Sequence, residues 1–88
     1  MAYSVAITKD ARRQLSKLDP AAARRVLDYL EAAAELDDPR LRGKGLTGDR
    51  GGLWRYRIGD YRVICEILDA EMVILALEVG HRGSVHRG

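Results

Sequence analysis

The first residues of the chain, from Tyr3 to Thr8, alternate between apolar and polar side chains and are rich in β-forming types. A period of two residues is typical of a strand with one buried face. We therefore predict an N-terminal strand in which Tyr3, Val5 and Ile7 face the core.

The period then lengthens to that of an α-helix. From about Ala11 to Leu18, apolar residues recur at i, i+4 and i+7, which predicts a short amphipathic helix with a solvated basic face. Either Thr8 or Asp10 can cap this helix, because both side chains carry oxygens that accept hydrogen bonds from the first helical N–H groups.

A second helix is predicted to begin at Asp19-Pro20, where a capping carboxylate precedes a proline whose missing N–H costs nothing at the first helical position. Apolar residues again recur at helical spacing, and Asp37-Asp38-Pro39 predicts that the helix ends near Leu36. The apolar stripe consists of Ala23, Val26, Leu27, Leu30 and Ala34. We expect the two helices to form a hairpin.

Five glycines lie in the stretch from Arg40 to Gly52, a density that favours a mobile connection over a regular element. The segment Leu41 to Leu46 lacks the GxxxxGK[ST] spacing of a phosphate loop, and no strand precedes it. We predict a loop without a nucleotide site.

The segment from Leu53 to Ile67 contains two β-rich runs separated by Gly59-Asp60, a two-residue hairpin signal. With these two residues as the turn, Ile58 opposes Tyr61 and the pairing continues outward from there. One face of the hairpin is then apolar and predicted to lie in the core. It consists of Trp54, Tyr56, Ile58, Tyr61, Val63 and Cys65.

The same register places Arg57 opposite Arg62, with Arg55 close by, on the other face of the hairpin. Like charges directly opposed across a sheet cost about 0.2–1 kcal/mol, whereas guanidinium groups match phosphate oxygens. Two interpretations stay open. The arginines bind an anion such as a nucleic-acid phosphate, or they only solubilise the exposed face of the sheet with Glu66 as a neutralising neighbour.

Residues Met72 to Val79 are nearly continuous in apolar side chains, which predicts an interior strand. We expect the last three strands to form an antiparallel meander, the N-terminal strand to lie beside the final one, and both helices to pack on one face. The predicted fold class is α+β, with the arginines on the face that the helices leave bare.

The residues after Val79 include both histidines and two more arginines, namely His81, Arg82, His86 and Arg87. Histidine suits proton transfer near neutral pH, and RNA cleavage by attack of the 2′-hydroxyl needs a base, an acid and cations. Neither histidine decides the question alone, because His81 also suits a structural position at the strand end and His86 a solvated tail.

A length of 88 residues, 47% hydrophobic and 32% charged, indicates one globular domain over residues 1–88. No apolar run approaches a membrane span and the N-terminus does not resemble a secretory signal, so we expect a cytoplasmic protein without a membrane partner. Cys65 is the only cysteine. We predict that it is buried in a strand, and we expect neither a metal site nor a cofactor.

These elements, with Trp54-Arg55-Tyr56-Arg57, Gly59-Asp60-Tyr61-Arg62 and Val79-Gly80-His81-Arg82, resemble a RelE-type toxin of the RelE/ParE superfamily. The resemblance spans essentially the whole chain. It implies the toxin of a type II toxin–antitoxin system that cleaves messenger RNA on the ribosome, by 2′-hydroxyl attack and without a metal. The implied partners are a cognate antitoxin, the ribosome and the mRNA.

The resemblance also implies catalytic roles. Arg55 or Arg57 would help to take the 2′-hydroxyl proton or would stabilise the base that takes it, while Arg62 and Arg82 would hold the phosphate and the developing charge. His86 stands where well-known members have a tyrosine that stacks on a base, and imidazole can stack or exchange protons. Further RNA contacts are expected from Lys44, Arg50, His81 and Arg87.

Two alternatives to the ribosome-dependent nuclease stay open. ParE-like members of the superfamily inhibit DNA gyrase through protein contacts and are not nucleases, and a shared fold does not distinguish the two activities. A third class is an inactive module that only binds an antitoxin. The convergence of basic residues favours the nuclease, because a gyrase inhibitor does not need it.

Overall fold

The computed structural model describes residues 2–81, in which two helices lie against a five-stranded sheet. In chain order the main elements are β1 (Ser4–Ile7), α1 (Lys9–Ser16), α2 (Pro20–Ala34), β2 (Lys44–Gly45), β3 (Trp54–Ile58), β4 (Tyr61–Leu68) and β5 (Val73–His81). The strands are arranged in the order β1-β5-β4-β3-β2. Strand β1 is parallel to β5, and the other neighbours are antiparallel.

This architecture confirms the predicted α+β fold, including the N-terminal strand beside the final one. The core lies between the helices and one face of the sheet. Val26 and Leu30 of α2 and Tyr56 of β3 are fully buried there, because their side chains lie on the apolar stripe of the helix and on the apolar face of the hairpin.

The hairpin β3–β4 has the register expected from its turn. Ile58 pairs with Tyr61, Arg57 with Arg62, and the pairing continues to Trp54 and Cys65. Gly59 has a φ of 58°, a left-handed conformation that glycine adopts without steric cost and that tight hairpin turns require.

Helix α1 begins two residues before its predicted start. Thr8 is the cap, since its Oγ1 accepts a hydrogen bond from the Ala11 N–H at 3.1 Å and its carbonyl accepts one from Arg12. Asp10 is therefore not the cap but a first-turn residue. Its carboxylate lies 3.5 Å from the Arg13 guanidinium. A negative charge in the first turn is favourable, because the N-terminus of a helix is the positive end of its dipole.

Helix α2 begins where predicted, with an Asp19 carboxylate oxygen accepting from the Ala21 N–H at 3.2 Å. It ends at Ala34, two residues earlier than expected. The Leu36 N–H bonds to the Ala33 carbonyl, so the chain tightens into a turn with i→i−3 bonding at the helix end.

The expectation of an unstructured, mobile glycine segment is wrong at three places. Two 3₁₀ turns, Pro39–Leu41 and Gly48–Arg50, flank strand β2, which pairs with β3. The first turn is anchored, because the Tyr56 hydroxyl donates to the Pro39 carbonyl at 2.7 Å and Trp54 Nε1 donates to the Arg42 carbonyl at 2.7 Å. These anchors lie far along the chain, so local composition gave no sign of them.

Cys65 is fully buried in β4, as predicted. Burial in apolar surroundings raises the pKa of its thiol to about 12, which keeps the thiol protonated and unreactive near neutral pH. Over residues 2–81, neither helix has the length and apolar character needed to cross a membrane.

Candidate functional site

The face of the sheet opposite the helices carries a cluster of basic side chains, here called the basic face and consisting of Lys44, Arg55, Arg57 and Arg62. Strand register brings them together. Arg57 of β3 is directly opposite Arg62 of β4, and Lys44 of β2 is directly opposite Arg55. Directly opposed residues share a face of a sheet, so four cations from three strands lie on two adjacent rungs.

The two rungs continue onto β5. Gly80 is opposite Arg62, and Glu78 is opposite Ile64, which is itself opposite Arg55. Two rows of directly opposed residues therefore run across the sheet. The first consists of Arg57, Arg62 and Gly80, and the second of Lys44, Arg55, Ile64 and Glu78. Gly80, which has no side chain, is therefore the β5 residue directly opposite Arg62.

The basic side chains differ in exposure. Lys44 and Arg57 are exposed and Arg55 is half-buried, whereas Arg62 is only 8% exposed. The expectation that all the hairpin arginines would lie on a bare face is therefore wrong for Arg62. Strand β4 is an interior strand, with β3 on one side and β5 on the other.

The Arg50 side chain forms an ion pair at the edge of this face. Its Nη2 donates to Oε1 of Glu78, and the pair joins the Gly48–Arg50 turn to β5. Sequence reasoning missed Glu78 as a site residue, although one signal was present: Glu78 is the single charged residue within the otherwise apolar run from Val73 to Val79.

His81 lies on the opposite side of the sheet from the arginines. It pairs with Tyr61 in the register of β4 and β5, and the two rings make an edge contact with centroids 5.3 Å apart. The structure thus does not bring His81 together with the basic face. The other three predicted residues of the tail, Arg82, His86 and Arg87, lie outside the described residues.

The basic residues between positions 40 and 62 divide between two parts of the molecule. Arg40 forms a bidentate pair with Asp69, at 3.1 and 2.8 Å, and the Tyr3 hydroxyl also donates to Asp69 at 2.6 Å. Arg42 lies over the Tyr29 ring, 5.2 Å from its centroid. Both arginines therefore hold the segment after α2 in place and do not belong to the basic face.

The Arg40–Asp69 contact changes the titration of all three groups. The hydrogen bond from Arg40, followed by that from Tyr3, lowers the pKa of the Asp69 carboxyl. The same contact with Asp69 raises the pKa of Arg40 and that of Tyr3, because a nearby carboxylate favours the protonated form of each group.

The basic face has the composition of an anion site. Guanidinium groups donate to phosphate oxygens in a planar fork, and an adjacent lysine adds a point charge. Among residues 2–81 there is no group of three or more histidine, cysteine, aspartate or glutamate side chains that could hold a metal ion.

The family model of the ParE toxin of type II toxin–antitoxin systems, parDE, matches residues 5–85. The chain belongs to this family. It is 35% identical to the toxin RelG of Mycobacterium tuberculosis over an alignment of 88 positions that covers 99% of each chain. It is 33% identical to the toxin RelE of the same organism over 85 residues, covering 97% of this chain and 87% of that protein. These relatives confirm the predicted membership of the RelE/ParE superfamily.

Solved structures agree with this placement. The toxin–antitoxin complex RelBE2 of M. tuberculosis contains a chain that superposes with a TM-score of 0.85 at 30% identity, covering 96% of this chain and 95% of that one. The archaeal RelE–RelB complex of Pyrococcus horikoshii gives a TM-score of 0.72 at 34% identity, covering 96% and 99%. An Escherichia coli RelE variant, at 19% identity, shares the fold with a TM-score of 0.79 over 99% and 90%.

Proposed function

We propose that this toxin is a ribosome-dependent endoribonuclease that cleaves messenger RNA and so inhibits translation. The observation that carries the proposal is the convergence of Lys44, Arg55, Arg57 and Arg62 on two adjacent rungs of one sheet face. Like charges that face each other on adjacent strands destabilise the folded state. An anionic ligand is therefore the best explanation for the arrangement of these four cations. The relatives named RelG and RelE support the same assignment.

The proposed chemistry is attack of the 2′-hydroxyl on the neighbouring phosphate without a metal. Negative charge builds up on the phosphate oxygens in the transition state, and fixed cations stabilise it more strongly than they stabilise the ground state. Arg57 and Arg62, directly opposed, would hold those oxygens from two strands. Arg82 would add a further cation, and His86 would stack on a base or exchange a proton.

The proposed RNA contacts beyond the basic face are those of Arg50, His81 and Arg87. Arg50 lies at the edge of the basic face, and its guanidinium would leave the Glu78 carboxylate and bind a phosphate of the RNA. His81 would contact RNA only along the rim of the sheet, since its side chain lies on the helix side.

We also propose that the chain binds a cognate antitoxin, an acidic or amphipathic segment laid over the sheet and helices. Solved structures of similar chains are toxin–antitoxin complexes. Co-expression with the antitoxin encoded beside the toxin should relieve growth arrest and give a complex that co-purifies. If growth arrest persists although the candidate antitoxin is expressed in soluble form, that protein is not the cognate antitoxin.

Primer extension on an mRNA incubated with purified ribosomes tests the nuclease directly. New 5′ ends should form with the wild-type protein and with Arg25→Ala, which removes an exposed arginine from α2 on the far side of the sheet. The matched variant Arg57→Ala removes an exposed arginine from the basic face and should slow cleavage about 10²-fold or more. Arg82→Ala should behave like Arg57→Ala.

Two outcomes would contradict the proposal. A folded wild-type protein that gives no new ends is not an mRNA nuclease under these conditions of assay. Equal cleavage by Arg57→Ala and Arg25→Ala would remove the basic face from the mechanism. New ends in the absence of ribosomes would retain the nuclease but reject ribosome dependence.

Gyrase inhibition is the second candidate, favoured by the match of residues 5–85 to the ParE toxin model. It predicts that the purified protein blocks supercoiling of relaxed plasmid by DNA gyrase and leaves mRNA intact. A protein that does neither, yet binds its antitoxin, would be the inactive binding module.

A further inference from the structure

Glu78 is a carboxylate set among cations on the basic face. It lies on β5 directly opposite Ile64, and Arg62 is its diagonal neighbour on β4. Diagonal neighbours on adjacent strands have Cα atoms roughly 7–8 Å apart, within reach of long side chains. The Glu78 side chain is 36% exposed, so a ligand bound beside Arg62 can contact it.

The proposed cleavage needs a group that accepts the 2′-hydroxyl proton. The arginines of the basic face serve this purpose poorly, because guanidinium stays protonated in proteins. Glu66 shares the face of β4 but is opposite Leu75, four residues along the strand from Arg62. At roughly 3.3 Å per residue this separates the two by about 13 Å, so Glu78 lies closer to Arg62 than Glu66 does.

We propose that Glu78 is the general base of the cleavage reaction, an inference that rests on the proposed nuclease function. Its carboxylate takes the proton from the 2′-hydroxyl as the 2′-oxygen bonds to phosphorus. The bond from phosphorus to the 5′-oxygen breaks, and that oxygen takes a proton from water. The products are a 2′,3′-cyclic phosphate and a 5′-hydroxyl, and the Glu78 proton then returns to water.

The ion pair with Arg50 gives this step an order. In the free protein Arg50 donates to Glu78, so the base is engaged. An RNA phosphate is a better partner for Arg50, because it offers several anionic oxygens at once. Transfer of Arg50 to the RNA backbone frees the Glu78 carboxylate when substrate is present, while the arginines of the basic face hold the scissile phosphate.

The test is single-turnover cleavage of mRNA on purified ribosomes at saturating toxin, which isolates the rate of the bound reaction. Glu78→Ala should lower the first-order rate constant about 10²-fold or more, as expected for loss of a general base. Added formate should restore part of that loss, and chloride at equal ionic strength should not. Glu66→Ala, a glutamate removed from the same face, should keep the wild-type rate and ignore formate.

Glu78→Gln provides a second variant that keeps the shape and an oxygen for Arg50 but cannot accept the proton, and it should be as slow as Glu78→Ala. Thermal unfolding followed by circular dichroism checks that both variants fold. A wild-type rate in Glu78→Gln, or a loss in Glu78→Ala that formate does not relieve, would overturn the proposal while the nuclease stands. A wild-type protein without cleavage would overturn the nuclease and this inference together.

Discussion

The two sides of the β3–β4 hairpin are made from alternate residues of the same strands and differ in the side chains that they carry. On the helix side, Tyr56, Val63 and Cys65 are fully buried. On the other side, Arg57 is exposed and is directly opposite Arg62, which is buried. One side therefore gains its stability from packing, while the other carries charges whose arrangement opposes folding.

The magnitudes show why both can coexist. Full burial of a large side chain contributes about 1.5–3 kcal/mol, whereas a pair of like charges across a ladder costs about 0.2–1 kcal/mol. The packed side outweighs the charged side. A hairpin with one apolar face can therefore present a basic cluster on the other and still fold.

Loss of packing on the helix side should have the largest effect. Tyr56→Ala removes a fully buried ring and its hydrogen bond to the Pro39 carbonyl. We expect the free energy of unfolding to fall by about 3–5 kcal/mol, as for other large-to-small core changes, measured by urea denaturation. A loss below 1 kcal/mol would show that this side does not hold the hairpin.

Loss of the close packing between Gly43 and Trp54 should have the second largest effect on stability. Gly43 has a φ of 84°, and a Cβ there would lie 2.5 Å from both Trp54 Nε1 and the Arg55 carbonyl oxygen. We expect Gly43→Ala to cost about 2–3 kcal/mol of unfolding free energy from backbone strain, the clash and the weakened Trp54 hydrogen bond.

Gly48→Ala is the matched control for Gly43→Ala. Gly48 has a φ of 68° with open space around the added Cβ, so only the cost of the left-handed conformation applies, about 1 kcal/mol. Equal losses in the two variants would show that the close approach of Gly43 to Trp54 contributes nothing.

Removal of charge on the basic face should have a smaller effect, and of opposite sign. Arg57→Gln relieves the repulsion with Arg62, so the free energy of unfolding should stay constant or rise by about 0.2–1 kcal/mol, while mRNA cleavage falls. Chemical denaturation and primer extension on the same preparation check both halves. A lower free energy of unfolding in Arg57→Gln would contradict the claim that the charges of the basic face do not stabilise the fold.

The smallest effect should come from Asp69, away from the hairpin. Arg40 and then Tyr3 lower the pKa of its carboxyl below the ordinary 3.8. A carboxyl with a lower pKa in the folded state stabilises the fold above its unfolded pKa, and this contribution is lost as the pH falls through the folded value. Asp69→Asn should therefore flatten the acid side of the stability profile, measured by urea denaturation at a series of acidic pH values. An unchanged profile would contradict the role given to Arg40.

Local patterns predicted the elements whose causes are local. The register of β3–β4 follows from Gly59-Asp60 and the alternation on either side, and the start of α2 follows from Asp19-Pro20. The start of α1 was predicted less well, because both Thr8 and Asp10 can cap a helix and only the hydrogen bond from the Ala11 N–H distinguishes them.

Contacts between distant residues were beyond these patterns. Strand β2 forms because β3 offers an open edge and because Trp54 and Tyr56 anchor the preceding turn. The pair formed by Arg50 and Glu78 joins residues 28 positions apart. The glycine-rich segment contains Arg50, but the residues with which it makes these contacts, Trp54, Tyr56 and Glu78, lie outside it.

By itself, the sequence determined the α+β class, the buried face of each element and the hairpin that opposes Arg57 and Arg62, because period and turn chemistry act over a few residues. The tertiary structure alone decided which side of the sheet each later residue joined. Register across β4 and β5 put Glu78 and Gly80 beside the arginines and put His81 on the helix side. Strand pairing sets those positions through backbone hydrogen bonds between distant segments, and a shift of one residue would exchange the two faces.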